Sequence, residues 1–320
     1  MKKICVTGAN GFIGQSLCKA LSNSGYFVRG FVRTLNTFPK LRNLEYVKVG
    51  NIDLNTNWEN SLFSFDCLIH CAGIANTTKK DDKDIYNSVN FEGTKNLAEQ
   101  AVKAGVRRFI FLSTIKVNGE STSEIFNKKE NLKESKFIYS DIPNPQDIYS
   151  ISKYRAEKAL WEISYKNGLE IVILRLPLVY GKFVKGNIER LIKLIKTGVP
   201  LPLGLINNQR SFIGIDNLID LLIKCIHHSD AANKTFLVSD GEDLSTPELL
   251  NKIAFEVNQP LTLFPFPVLL LKFFSRIFGK KNEMNRLLNS LQVDNSYVCE
   301  TLNWTPIVSV SEGFKRMIKN

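Results

Sequence analysis

Apolar positions along the first two-thirds of the chain switch between two periods. Short apolar runs at residues 4–7, 27–32, 45–49, 67–71, 108–113 and 171–174 have the length and composition of buried strands. Between them the spacing is helical. Ile13, Leu17, Ala20 and Leu21 share one face, and Gly25 stands where a helix stops. The same logic predicts helices over 87–104, closed by Gly105, and over 149–166, ahead of Gly168. Strands alternating with helices imply a parallel sheet with helices on both faces.

The pattern loosens after Tyr180. Helical spacing covers 187–196 and 217–227, and a strand is predicted at 235–238. Ser245-Thr246-Pro247-Glu248 and Ser309-Val310-Ser311-Glu312 read as capping boxes that start two further helices. The expected fold class is therefore α/β: a Rossmann-type doubly wound parallel sheet over residues 1–180, then a smaller, mostly helical C-terminal substrate-binding portion over 181–320. The chain is free to cross between the two. The polar, lysine-rich stretch 119–146 reads as a mobile loop near the site.

Composition narrows the class. Of 320 residues 44% are hydrophobic and 23% charged, with a net charge of +11. The lysines are scattered and form no arginine-rich tract, so the excess reads as a solvated face, and no nucleic-acid partner is expected. The longest apolar stretch, 264–278, is broken by Pro265, Pro267, Lys272 and Arg276, and is too short and too charged to cross a bilayer. It reads either as a helix packed on the substrate portion, the simpler case, or as a basic amphipathic helix on a membrane surface. Six cysteines lie mostly in apolar runs, and the chain enters a strand at its start with no signal peptide expected, which suits free thiols and a cytoplasmic location. Cys67, His70 and Cys71 share one short strand with no second ligand cluster nearby, so no metal is expected.

Candidate chemistry begins at the first turn, Val6-Thr7-Gly8-Ala9-Asn10-Gly11-Phe12-Ile13-Gly14. Glycines at this spacing let the chain turn sharply out of a strand and approach a pyrophosphate, and the helix that follows aims free N–H groups at it. Gly8, Asn10, Gly11, Phe12, Ile13 and Gly14 are thus candidates for binding NAD(P)(H). The second strand, Val28-Arg29-Gly30-Phe31-Val32-Arg33, ends without the acid that would bond the ribose hydroxyls. Arg33 is positioned to meet a 2′-phosphate, which leans towards NADP, unless it simply faces solvent.

Tyr149-Ser150-Ile151-Ser152-Lys153 opens the long helix and puts a phenol and an ammonium on one face at i and i+4. A free tyrosine titrates near ~10, and nearby positive charge lowers that, so the pair can exchange a proton with a hydroxyl. At the end of the fifth strand, Leu112-Ser113-Thr114 offers a hydroxyl to the reacting oxygen. Thr114 is the candidate for this catalytic role. Ser113 is a candidate for touching substrate, or else caps the loop.

Together these residues resemble the extended short-chain dehydrogenase/reductase family, which contains nucleotide-sugar epimerases and dehydratases. Thr7-Gly8-Ala9-Asn10-Gly11-Phe12-Ile13-Gly14 is similar to its cofactor fingerprint, and His70-Cys71-Ala72-Gly73 to a strand-four motif whose backbone touches the cofactor. Asn90-Phe91-Glu92-Gly93-Thr94 and Arg175-Leu176-Pro177-Leu178-Val179-Tyr180-Gly181 resemble two further motifs, and Thr114, Tyr149 and Lys153 fall on the catalytic triad. The resemblance adds Ala72, Gly73 and Asn90 to the cofactor contacts, gives Lys153 a second role on the nicotinamide ribose, and implies a homodimer. Within the family, the stretches 184–187, 208–217 and, more loosely, 289–294 resemble a group acting at C4 of UDP-hexoses or UDP-hexosamines. That likeness implies a UDP-sugar substrate, with Asn187 and Arg210 holding its diphosphate. The expected activity is a 4-ketoreductase of the UDP-N-acetylquinovosamine-forming type. The alternatives are a UDP-glucose or UDP-GlcNAc 4-epimerase, and a catalytically silent NAD(P)-binding protein, against which the retained Tyr149 and Lys153 argue. Two departures stand out: the missing acid after the second strand, and Asn51 where an aspartate is common.

Overall fold

Each apolar run of the first two-thirds forms a parallel strand. The computed structural model describes residues 2–35, 41–58, 60–75, 83–123, 136–184 and 186–319, with backbone alone at 281–283. In chain order the first half runs β1 (Lys3–Thr7), α1 (Phe12–Asn23), β2 (Phe27–Val32), β3 (Leu44–Lys48), β4 (Cys67–His70), α2 (Lys83–Tyr86), α3 (Gly93–Lys103) and β5 (Arg108–Thr114). Then follow α4 (Ile148–Asn167), β6 (Glu170–Leu176), β7 (Leu178–Tyr180), α5 (Asn187–Lys196), β8 (Phe212–Gly214), α6 (Ile215–His227) and β9 (Lys234–Leu237). The chain closes with α7 (Thr246–Glu256), α8 (Val268–Ile277), α9 (Lys281–Leu288), α10 (Ser296–Leu302) and α11 (Val310–Lys319).

The main sheet has seven strands in the order β3-β2-β1-β4-β5-β6-β9. The winding direction reverses between β1 and β4, which opens a crevice past their carboxyl ends. The register sets Thr7 beside His70, and His70 beside Phe111, so these strand ends form one row under that crevice. Side chains alternate across the strands. Ile4, Val6, Ile110 and Leu112 pack with α1 and α6, whereas Cys5, Phe109 and Phe111 pack with α3 and α4. Apolar side chains on both faces are what a doubly wound sheet requires.

Four features refine the sequence reading. First, the chain crosses back to the sheet after residue 180, which that reading left open. β9 pairs with β6 and α6 packs on α1, so residues 215–237 return to the sheet and complete its edge. Second, the predicted helix over 87–104 is interrupted by a π-helical turn at Asn87–Glu92. Gly93 then lies so close to Ile52 that a Cβ there would sit 2.8 Å from the Ile52 side chain. Third, β7 and β8 form a small parallel pair that was not predicted, being too short to display a period. Fourth, the described ends of the expected loop are tied down. Thr122 N–H donates to Ser290 O at 3.0 Å, and Asn144 N–H to Val117 O at 2.8 Å. Its centre, 124–135, lies outside the described residues. The C-terminal portion has its own core, in which Leu203, Leu250, Ile253, Val310 and Phe314 pack together.

Candidate active site

The first glycine turn is dictated by space as well as by φ. Gly8 has φ +64°, and a Cβ on it would lie 2.8 Å from Ala72 N. A Cβ on Gly14 would lie 2.2 Å from Gly8 O, so glycine is what lets α1 start directly against the turn. No side chain caps α1 and no acid occupies its first turn. Its leading N–H groups, with the exposed Asn10 and Gly11 beside them, therefore face the crevice as an open anion site. Phe12 and Ile13 are half-buried at its rim.

Across the crevice, Ala72 and Gly73 follow β4. A Cβ on Gly73 would sit 3.1 Å from Lys153 Nζ, so the missing side chain leaves a flat wall beside the ammonium. Asn90 braces this wall. Its Nδ2 donates to Ile74 O at 2.9 Å and to Ser152 Oγ at 3.0 Å, and its Oδ1 accepts from Ile74 N–H at 2.8 Å. Asn90 thus positions the residues after β4, with its side-chain bonds taken up by the protein. Open helix N-terminus, glycine turn and flat wall together fit a dinucleotide such as NAD. Arg33 lies exposed just past the end of β2, at the far rim.

The residues predicted to transfer protons converge at the end of β5. Asp147 caps α4 by accepting from Ser150 N–H at 2.7 Å, and Lys116 Nζ donates to Asp147 at 2.5 Å. The cap sets Tyr149 in the first helical turn, next to Thr114. Burial and the Asp147 charge raise the Tyr149 phenol above its ordinary range, while a hydrogen bond from Thr114 acts the other way. Lys153 Nζ donates to Leu112 O at 2.9 Å and stands 4.4 Å from the Phe111 ring centre. Its burial brings the ammonium down to about 8. These surroundings favour the neutral phenol of Tyr149, and a base role needs further positive charge beside it.

Ser113 does not join them. Successive side chains of β5 point to opposite faces, so with Thr114 on the pocket Ser113 turns inward and donates to Glu157 Oε1 at 2.5 Å. Glu157 also holds Arg175, at 2.6 and 3.1 Å, in a buried ion pair. The expectation that Ser113 touches substrate is corrected accordingly. Its hydroxyl belongs to a buried polar network beneath the site.

Thr114 and Tyr149 open into a cavity of about 350 Å³ that runs between the sheet edge and the helical portion. Asn187, Arg190, Arg210 and Arg286 line its other end, with Leu191, Leu249 and Leu287 as apolar wall. The structure thus joins Asn187 and Arg210 to the catalytic end and adds two arginines that the sequence reading missed. Arg190 stands three residues after Asn187, on the same helical face, and was legible. Arg286 reaches the pocket through the fold-back of α9, which no local pattern announces. Arg210 donates to Asn289 O at 2.9 Å, and burial together with Arg286 lowers it to about 10. Among the described residues none of these arginines forms an ion pair with a carboxylate. Converging, unneutralised guanidinium groups are a site for a polyanion.

The cysteines are free, and the described residues hold no cluster of metal-ligating side chains. No helix among them is long and apolar enough to cross a membrane.

Residues 4–239 match the NAD dependent epimerase/dehydratase family. A UDP-glucose 4-epimerase of Vibrio cholerae is 41% identical over 98% of this chain and 94% of its own length. Among solved structures, the UDP-glucuronic acid 4-epimerase of Bacillus cereus in complex with UDP-glucuronic acid and NAD superposes with a TM-score of 0.78. It covers 99% of this chain and 98% of that one at 23% identity, and so bears on the fold. The UDP-N-acetylglucosamine 4-epimerase of the same organism has a TM-score of 0.77 at 21% identity, over 100% of this chain and 97% of its own.

Proposed function

Because the chain belongs to the NAD-dependent epimerase/dehydratase family, and is thus an NAD-binding enzyme, we propose that it is a UDP-hexose 4-epimerase. The observation that carries this reading is the 41% identity, across nearly the whole chain, to a UDP-glucose 4-epimerase. That likeness moves the weight away from the 4-ketoreductase expected from the sequence and onto its alternative. The cavity is consistent with it, since one channel has proton-transfer groups at one end and arginines for a diphosphate at the other.

Bound NAD supplies reversible hydride acceptance at C4 of the sugar. The protein's part is to hold and move the proton. Tyr149 takes the C4 hydroxyl proton as that carbon becomes a ketone and returns it when the ketone is reduced from its other face. Thr114 donates a hydrogen bond to the same oxygen. Lys153, beside the wall at Gly73, holds one positive charge on this side of the site, and the oxidised nicotinamide, when bound, would supply the further charge that the buried phenol needs in order to ionise. Arg190, Arg210 and Arg286 grip the diphosphate while the sugar turns over to present its second face. Homodimerisation belongs to the same reading and is checked by sedimentation.

The test is incubation of the purified protein with UDP-glucose or UDP-GlcNAc and no added cofactor. The 4-epimer of either is the expected product. Consumption of NAD(P)H dependent on a UDP-4-keto-6-deoxy sugar, without epimer formation, would establish the reductase instead.

A further inference from the structure

α8 is built inside out for a water-exposed helix. Leu271 and Ser275 are its buried positions, packed towards the core of the C-terminal portion. The opposite face should be polar. Instead it carries Leu269, Phe273 and Ile277, which are 81%, 55% and 61% exposed, and Phe278 at the helix end is 71% exposed. Residues at i, i+4 and i+8 make these a continuous apolar stripe pointing away from the protein. Scattered exposed apolar side chains are ordinary, but a contiguous stripe on an outward helix face marks a surface that something covers.

The charges beside the stripe identify the partner. From Val257 to Asn282 the sequence contains no acidic residue, while Lys272, Arg276, Lys280 and Lys281 are all basic. Lys272 and Arg276 are exposed and lie along one flank of the stripe. Self-association through such a face would bring like charges together. A bilayer with anionic headgroups would accept the apolar stripe into its acyl boundary and the flanking cations at its phosphates. A helix of 10 residues is too short to span, so it would lie in the plane of the interface. The surface is also continuous with the site: α9 packs on α8 and carries Arg286 and Leu287 into the cavity lining.

We propose that α8 is a membrane-docking element that seats the protein on an anionic lipid surface, with the substrate cavity close to the headgroups. The inference does not depend on which sugar reaction the site performs.

The experiment is co-sedimentation of the full-length protein with phosphatidylcholine vesicles, with and without phosphatidylglycerol, at low ionic strength. The protein should sediment with the anionic vesicles, and added salt should release it. The triple variant Leu269→Ser, Phe273→Ser, Ile277→Ser should lose at least about tenfold in vesicle affinity with its thermal midpoint unchanged. The pair Lys272→Glu, Arg276→Glu reads the same surface through charge. Each cation at an anionic surface is worth roughly fivefold, so replacing both by glutamate should weaken binding by at least about 25-fold. Absence of wild-type sedimentation with anionic vesicles would overturn the proposal, as would variants that sediment like wild type. So would light scattering, without lipid, of a wild-type dimer that the serine variant splits, because a second copy would then cover the face.

Discussion

His70 accepts a hydrogen bond from Thr7 Oγ1 at 2.6 Å, and a chain of donors fixes its tautomer. Thr94 Oγ1 gives its proton to Asn90 O at 2.8 Å, so it must receive the Nε2 proton of His70 at 2.9 Å. Nδ1 is then the acceptor, and Thr7 Oγ1 is free to accept in turn from Ala72 N–H at 3.2 Å. The glycine turn after β1, the wall after β4 and the helix bearing Asn90 are thereby tied to one neutral imidazole. Its position matters for the site, because Ala72 and Gly73 form the side of the crevice next to Lys153.

The network has a pH signature. Burial, and then Lys153, lower His70 from 6.5 to about 3. In the unfolded chain it titrates near ~6.5. Its contribution to stability is thus complete above the unfolded value and is lost as pH falls towards the folded one. Urea unfolding should show wild type losing more stability than His70→Gln between about pH 7 and about pH 4, because the variant cannot titrate there. Parallel losses in the two proteins would mean that His70 is not held neutral.

Ser113 and Thr114 should separate cleanly. Thr114→Val removes the hydroxyl facing the cavity and should lower kcat with little change in the thermal midpoint. Ser113→Ala leaves the buried Glu157 carboxylate short of a donor, which costs ~1–3 kcal/mol of stability, with turnover largely kept. Breaking the Glu157–Arg175 pair by Arg175→Met should cost more, ~3–5 kcal/mol, since it strands a buried charge. Steady-state kinetics and chemical denaturation on the same samples give both readouts.

Tyr149→Phe keeps the ring and removes the proton. Turnover should drop by ~10²–10⁴, the usual worth of a general acid–base group, while NAD affinity measured by calorimetry stays near wild type. Lys153→Met should lower both, because the ammonium stands beside the cofactor wall at Gly73 and shares a helix face with Tyr149.

What could be read from the sequence, and what could not, divides along the range of the interactions. The strand runs were legible because burial on both faces leaves uninterrupted apolar stretches, and the glycine turn because its φ and close contacts are local requirements. Tyr149 and Lys153 were legible because i and i+4 share a helix face. Ser113 and Thr114 were not resolved from each other. Alternation puts them on opposite faces of β5, but which face meets the cavity depends on packing against α4. The π-helical turn, the return of β9 to the sheet and Arg286 all depend on residues far apart in sequence pressing together, so no window of the chain contains them.

We propose that Arg33 biases cofactor choice towards NADP(H). It stands exposed beyond β2 with no acid beside it in sequence. Arg33→Ala should weaken NADP(H) binding more than NAD(H) binding in fluorescence titrations. Equal effects on the two would show the side chain facing solvent.

The last prediction concerns the far end of the cavity. Burial, and then the neighbouring Arg286 charge, lower Arg210, so the site concentrates positive charge. A diphosphate would relieve that repulsion as well as accept hydrogen bonds, and a charged hydrogen bond is worth ~1.5–3 kcal/mol. Arg286→Ala should therefore raise KM for a UDP-sugar by roughly 10- to 150-fold. Because the contact is made equally in ground and transition states, kcat should change little. UDP alone should lose affinity in the same proportion, since it presents the same phosphates without the sugar. A variant that lost kcat while keeping its affinity for UDP would place Arg286 in the chemistry at the sugar and not on the diphosphate.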